Sequence, residues 1–247
     1  DWLDEVTRTG YMQQHNLSIN GGTESTRYLV SVNYMHQDGV VKNNAATRLS
    51  ARVNLDQDIN KMLTVGLSAS YAQNKYDNVP LGDKVDQNAG VLTAAIQANP
   101  STPVYDENGD YYIDPARSSI PNAVSLLEIK DNTVKDRIMA SAYALLKPLE
   151  GLELKAQLGA DRRGQKRNSY VPKSTLSGAN ENGIANIAQE SSTDYLMDLT
   201  ATYSKALGEH NLKALVGYSY QRFTGNSVRA GNSDFIIDGF EYNNLSA

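Results

Sequence analysis

The strongest constraint on the fold is two-residue alternation, sustained over segments longer than an ordinary soluble strand. Across residues 26–37, Tyr28, Val30, Val32 and Tyr34 share one face. Arg27, Ser31, Asn33 and Gln37 share the other, with Leu29 and Met35 as exceptions. Across 47–58, Leu49, Ala51, Val53 and Leu55 oppose Arg48, Ser50, Arg52, Asn54 and Asp56. Across 63–73, Leu63, Val65, Leu67, Ala69 and Tyr71 oppose Thr64, Gly66, Ser68, Ser70 and Ala72. A period of two belongs to extended chain with two unlike faces, not to helix.

The same habit recurs further along. Leu152 to Ala160, Tyr195 to Tyr203 and Leu212 to Tyr220 each place every second residue on an apolar face. Segments 14–20 and 135–147 are less clean, and the latter is apolar on both faces, so its outward side is not assigned. The pattern predicts eight strands, at 14–20, 26–37, 47–58, 63–73, 135–147, 152–167, 193–205 and 211–225. Most are longer than the ~5–6 residues of soluble strands and match the ~9–11 of a tilted membrane strand.

The links sort by parity. Those at 21–25, 59–62, 148–151 and 206–209 are tight. The alternate ones are longer, at 38–44, 76–134 and 168–192. Short turns on one edge and long loops on the other are the asymmetry of an outer-membrane barrel, periplasmic and extracellular respectively. The fold class expected is therefore all-β: an antiparallel transmembrane β-barrel segment of about eight up-and-down strands, part of a larger barrel, with long extracellular loops containing short helices. Both termini fall on the extracellular edge by this parity, and both read as cut points inside a longer protein.

Tyrosine usage fits. The chain has 15 Tyr against 3 Phe and 1 Trp. Tyr28, Tyr34, Tyr71, Tyr195, Tyr203, Tyr218 and Tyr220 all lie on apolar faces, mostly near strand ends, where an aromatic girdle meets lipid headgroups. Core tyrosines of a soluble sandwich remain an alternative. No run of about 18 apolar residues exists, which excludes a membrane helix and says nothing against membrane strands. With no cysteine, disulfides and thiolate metal sites are excluded. The net charge of −5, without a long basic block, gives no reason to expect nucleic acid as a partner.

Within the long loop, 88–98 and 122–130 have the pattern of short helices, the second capped by Asn122. Residues 105–112 read as a small hairpin turning at Asn108-Gly109. Motifs that carry chemistry are sparse. His15, His36 and His210 share no metal-ligand spacing. Asp106 and Asp110 could mimic a glycosidase pair or part of a calcium loop, but Gly109 sits one position early for an EF-hand, so the turn is preferred. Arg162, Arg163, Lys166 and Arg167 form a basic cluster near the extracellular rim. It either meets anionic lipopolysaccharide or an anionic substrate, or is a solvated strand end. No catalytic, metal or cofactor-binding residue is expected, and substrate-contacting residues are not identifiable.

Motif resemblance narrows the class. Residues 16–28, NLSINGGTESTRY, resemble the NLSVSGGSEKTKYY-like hairpin of the SusC/RagA TonB-dependent transporters. Asp1-Trp2-Leu3 resembles the TDW element of that family. Residues 33–41, NYMHQDGVV, are similar to its GYFNQEGIV strand end, and 48–56, RLSARVNLD, to its RYSLRLNLD. The resemblance implies a barrel of about 22 strands around a plug, and import driven by TonB. It also implies glycan or peptide substrates and a SusD-like surface lipoprotein as lid. Two readings stay open beside this one: a small closed barrel that anchors or supports, and a soluble all-β binding module.

Overall fold

The computed structural model describes residues 1–82 and 90–246. A short helix α1 (Trp2–Val6) precedes β1 (Met12–Gly22), β2 (Thr26–Asp38), β3 (Ala45–Asp58) and β4 (Leu63–Asp77). The long connection carries helix α2 (Val91–Gln97) and single 3-10 turns at Pro115–Arg117 and Ser125–Glu128. Then follow β5 (Lys130–Leu149), β6 (Leu152–Val171), helix α3 (Leu176–Asn180), β7 (Ile184–Leu207), β8 (His210–Ser233) and a 3-10 segment, Asp238–Asn243. The eight strands form one antiparallel sheet in chain order, β1 to β8. β1 and β8 are its edges, so the sheet does not close on itself and the small closed barrel is not what these strands form.

The tight links are built by local chemistry. Thr23 Oγ1 accepts from the backbone N–H groups of Ser25 and Thr26. Asn60 Oδ1 accepts from Met62 N and Leu63 N at 2.8 and 3.0 Å. Such side-chain-to-backbone bonds stand in for a turn. Gly151 and Gly208, at φ +81° and +63°, turn the chain where a side chain would be strained.

The strands run longer than alternation indicated. β6 reaches Val171 and β7 begins at Ile184, so most of the expected loop 168–192 is sheet. β8 likewise extends from the expected end at 225 to Ser233. The added pairs, Ile184↔Ser233 to Ser192↔Gly225, are largely polar or small on both faces. Alternation marks only the part of a strand that divides apolar from polar surroundings. Backbone pairing continues beyond it, because every N–H and C=O still needs a partner. Of the two expected loop helices, 88–98 contains α2, with residues 88 and 89 outside the described residues. The expected helix 122–130 is cut to the 3-10 turn Ser125–Glu128, because Lys130 already pairs with Tyr170 in the sheet.

Register settles the face of β5. Leu67↔Ala142, Ala69↔Ala140 and Tyr71↔Ile138 place its even-numbered residues on the apolar side. That side is then continuous across the sheet: Val53, Ala69, Ala140, Ala160 and Tyr195 lie in one hydrogen-bonded row. The apolar band crosses such rows obliquely. Its centre on β2 is Ser31, between Tyr28 and Tyr34. The residues in register with Ser31 on the later strands are Arg52, Ser70, Met139, Asp161, Asp194 and Phe223. On β8 the band runs from Leu212 to Tyr220 and centres on Val216, seven residues from Phe223 toward the tight turn. Seven residues of about 3.3 Å over six strand spacings of about 4.8 Å is a tilt of roughly 39°. Strands of outer-membrane barrels tilt by about 35–45°.

In that frame six of the seven apolar-face tyrosines fall on two levels, while Tyr218 lies inside the band, two residues above Val216. Tyr71, Tyr195 and Tyr220 each lie four residues above their strand's band centre (Leu67, Leu199, Val216), and Tyr34 three above Ser31. Tyr28 and Tyr203 lie three and four residues below. At about 2.6 Å of height per residue the levels are roughly 20 Å apart, inside the ~25 Å apolar band of such barrels. The apolar side has no protein cover: Val216 is 69% and Tyr218 58% exposed. A water-soluble sheet would not leave this surface bare. The main packed core lies at the long-link edge instead, around Trp2, Val6, Val41, Val91, Ala94, Ala123 and Leu126.

Candidate functional site

Two features have the polarity and geometry for recognition: the polar face of the sheet, and the cap of loops at its long-link edge. On the polar face, alternation places Arg137 directly opposite Arg163, and Asp161 directly opposite Asp194. Like charges facing each other across a pair of strands destabilise it. Diagonal pairing removes the conflict. Arg137 grips the Asp161 carboxylate with two bonds, Nε to Oδ1 at 2.9 Å and Nη2 to Oδ2 at 2.8 Å. Arg163 reaches Asp161 Oδ2 at 2.7 Å and Asp194 Oδ2 at 3.0 Å. The two arginines and two aspartates form a balanced network over β5–β7. Nearby, Arg167 pairs with Asp131 and Arg229 with Glu190.

The lower part of this face is held by Tyr143. Its ring lies over Gly66, where an added Cβ would stand 2.0 Å from the ring. Its hydroxyl donates to Asp56 Oδ1 at 2.7 Å, and Lys155 Nζ lies 4.9 Å from the ring centroid. One side chain thereby ties β3 through β6 together. On the first four strands the face is lined by Asn16, Ser18, Ser31, Asn33, Ser50 and Ser70, with Arg48 and Arg52 among them. Among the described residues neither of these arginines forms an ion pair. Their guanidiniums are open donors for an acceptor from outside the chain.

The cap joins segments far apart in sequence. The Trp2 indole N–H donates to Asn99 O at 3.0 Å. Lys42 Nζ donates to Glu5 O at 2.7 Å at the end of α1, and Asn43 Nδ2 donates to Leu127 O at 3.0 Å. Asn122 is buried and fully used. Its Nδ2 donates to Val104 O and Tyr112 O, and its Oδ1 accepts from Val124 N and Ser125 N. The expected helix cap is replaced by a local turn at Asn122: the 3-10 segment Ser125–Glu128 starts from Val124, which makes no side-chain cap bond. Tyr111 donates to Glu128 Oε1 at 3.1 Å, and burial, followed by that carboxylate, pushes its phenol pKa up. A smaller cluster, Tyr170, Ala185 and Phe235 with Tyr242 and Leu245, packs the tail against β6 and β7.

The other sequence candidates separate in space. His15 stacks on Tyr34, and His36 Nδ1 lies 2.9 Å from Thr47 Oγ1, both on the apolar side. His210 sits at the β7–β8 turn. Among the described residues no group of three or more His, Cys, Asp or Glu is placed to hold a metal. The Asp106 carboxylate is occupied by its own turn, accepting from Asn108 N and Asp110 N at 2.8 and 3.0 Å. The basic cluster divides. Arg163 and Arg167 point to the polar side and are paired, while Arg162 and Lys166 point to the apolar side. Sequence reading missed α1 and the cap. Asp1 as N-cap, with Trp2 and Val6 one turn apart, was the available signal.

Comparison with known proteins places these features. No family model matches the chain. TonB-dependent receptor P3 of Formosa agariphila is 32% identical over 248 residues, 99% of this chain and 25% of the relative. TonB-dependent receptor SusC of Bacteroides thetaiotaomicron is 22% identical over 94% of this chain and 25% of the relative. Among solved structures, the RagAB peptide importer in its open-open state superposes with a TM-score of 0.80 at 25% identity, over 96% of this chain and 27% of that one. The chain spans about a quarter of the length of the curated relatives it matches.

Proposed function

We propose that this chain, which belongs to the SusC/RagA-type TonB-dependent receptors of the bacterial outer membrane, forms part of the wall of a barrel that imports nutrients. The observation that carries this reading is the segregation of the sheet. One side is a tilted apolar band between two tyrosine levels, and the other is polar, with paired and unpaired arginines. The band faces lipid. The polar side faces the barrel interior, where Arg48 and Arg52 meet acceptors of the plug or of a passing substrate. The substrates are glycans or peptides, and no covalent chemistry is performed on them. The loop cap meets a SusD-like lipoprotein at the cell surface, and TonB supplies the energy from the periplasmic side. The unpaired edges β1 and β8 support a wall that continues into further strands, because exposed sheet edges are otherwise liable to aggregate.

The test is uptake by the intact receptor in its native outer membrane, with fluorescent oligosaccharide and peptide pools as probes. The expected result is accumulation of one class, abolished by a protonophore or by loss of TonB. Uptake no greater than in a receptor-null strain for both pools would overturn the proposal.

A further inference from the structure

The six arginines of β5–β8 divide cleanly. Arg137, Arg163, Arg167 and Arg229 face the polar side, and each has a carboxylate oxygen within 3.0 Å. Arg162 and Arg222 face the apolar side, and among the described residues neither has an ion-pair partner. Lys166 shares that side and forms no ion pair among the described residues either. All three are exposed.

The two arginines also share a height, with Lys166 farther out. Arg162 and Arg222 each lie six residues above their band centres, Ala156 and Val216, and Lys166 lies ten above. At about 2.6 Å of height per residue, the two arginines stand roughly 15 Å from the midplane. That is just beyond the edge of a ~25 Å apolar band and above the upper tyrosines. Thr193 and Thr224 lie in the same row as Arg162. On β6, β7 and β8 the lipid-facing residues above the band include no acid. The nearest one, Asp136 on β5, is engaged by Tyr71 Oη at 3.2 Å and Gln73 Nε2 at 2.9 Å. Among the described residues of β5–β8, the arginines without a carboxylate partner lie only on the lipid side. Cations at this level are attracted to anionic headgroups, with stems lying on apolar surface.

We infer that Arg162, Lys166 and Arg222 form a binding surface for the phosphate groups of outer-leaflet lipid. This rests on the outward assignment of the apolar face and sharpens the basic cluster to its lipid-facing half, with Arg222 added. Arg163 and Arg167 take no part, because their charges are spent on Asp161, Asp194 and Asp131.

The intact receptor, purified in mild detergent, is titrated with bis-phosphorylated lipid A and with the same lipid after dephosphorylation, and bound lipid is read by native mass spectrometry. The triple variant R162Q/K166Q/R222Q is expected to weaken lipid A binding by at least about tenfold at low salt. The inward variant R163Q/R167Q is expected to stay within about twofold. The dephosphorylated lipid should bind the native protein as weakly as lipid A binds the triple variant. Heat-modifiable gel mobility checks folding, and the charge-preserving R162K/R222K should retain binding if the glutamine variant fails to fold. Unchanged lipid A binding in the triple variant would overturn the inference, as would equal loss in the inward variant. Displacement of lipid A by equimolar inorganic phosphate would overturn the lipid source. Energised uptake is read separately, so failure here leaves the transport reading standing.

Discussion

Ala51 and Thr193 share one hydrogen-bonded row and one face of the sheet, yet the tilted band puts them at different depths. Their row runs Ala51, Tyr71, Ile138, Arg162, Thr193. Ala51 is one residue from the β3 band centre at Arg52, within about 3 Å of the midplane. Thr193 is six residues from Leu199, roughly 15 Å above it. Arginine on the lipid face of a membrane barrel costs about 2–4 kcal/mol at the midplane and about 0–1 near the interface. Ala51→Arg should therefore lower the folded-to-unfolded ratio by roughly thirtyfold to a thousandfold, and Thr193→Arg by less than about tenfold. Native Arg162, at the height of Thr193, already shows that the sequence accepts the charge there. The assay is guanidinium titration of the intact receptor folded into phospholipid vesicles, with the folded fraction read by heat-dependent gel mobility. Equal costs for the two variants would refute the tilt, and a small cost for both would refute lipid contact at Ala51.

Three further outcomes follow from the packing. Gly151→Ala should cost more than about 1 kcal/mol in the same titration, because at φ +81° its Cβ would lie 2.2 Å from Ser204 O. Trp2→Ala should remove about 3–5 kcal/mol from the cap, so limited proteolysis in residues 90–129 should accelerate while the gel mobility of the barrel stays unchanged. Asp161→Asn and Arg137→Gln should couple by about 1 kcal/mol or less in a double-mutant cycle, since Arg137 is half exposed; a coupling of zero would mean the diagonal pairing contributes nothing to the wall.

Much of the wall was legible in the sequence because lipid imposes a one-sided demand. Tyr28, Val30, Val32 and Tyr34 announce their face without any knowledge of the neighbours. β5 did not, because Ala140, Ala142 and Ala144 alternate with Met139, Ser141 and Tyr143, and only pairing with β4 assigns the sides. The outer ends of β7 and β8 were hidden for the opposite reason. Ser191, Ser192, Asn226 and Ser227 are polar on both faces, and nothing local separates them from loop. The division of the basic cluster was present in the numbering, since Arg162 and Arg163 are neighbours in a strand and must point opposite ways. The cap could not be read, because its decisive contacts, such as Trp2 with Asn99, join residues 97 apart.

A nitroxide scan reads the tilted lipid band on one face of the open barrel wall without an intermediate assumption. This chain has no cysteine, so single cysteines introduced along β2, β7 and β8, in an intact receptor whose other cysteines are replaced, carry one label each in bilayers. Oxygen accessibility is expected to alternate with period two, high at Met197, Leu199 and Ala201 and low at Asp198 and Thr200. Depth maxima are expected near Ser31, Leu199 and Val216, positions that lie on different hydrogen-bonded rows. Absence of the period, or maxima that all fall on one row, would contradict the tilted band.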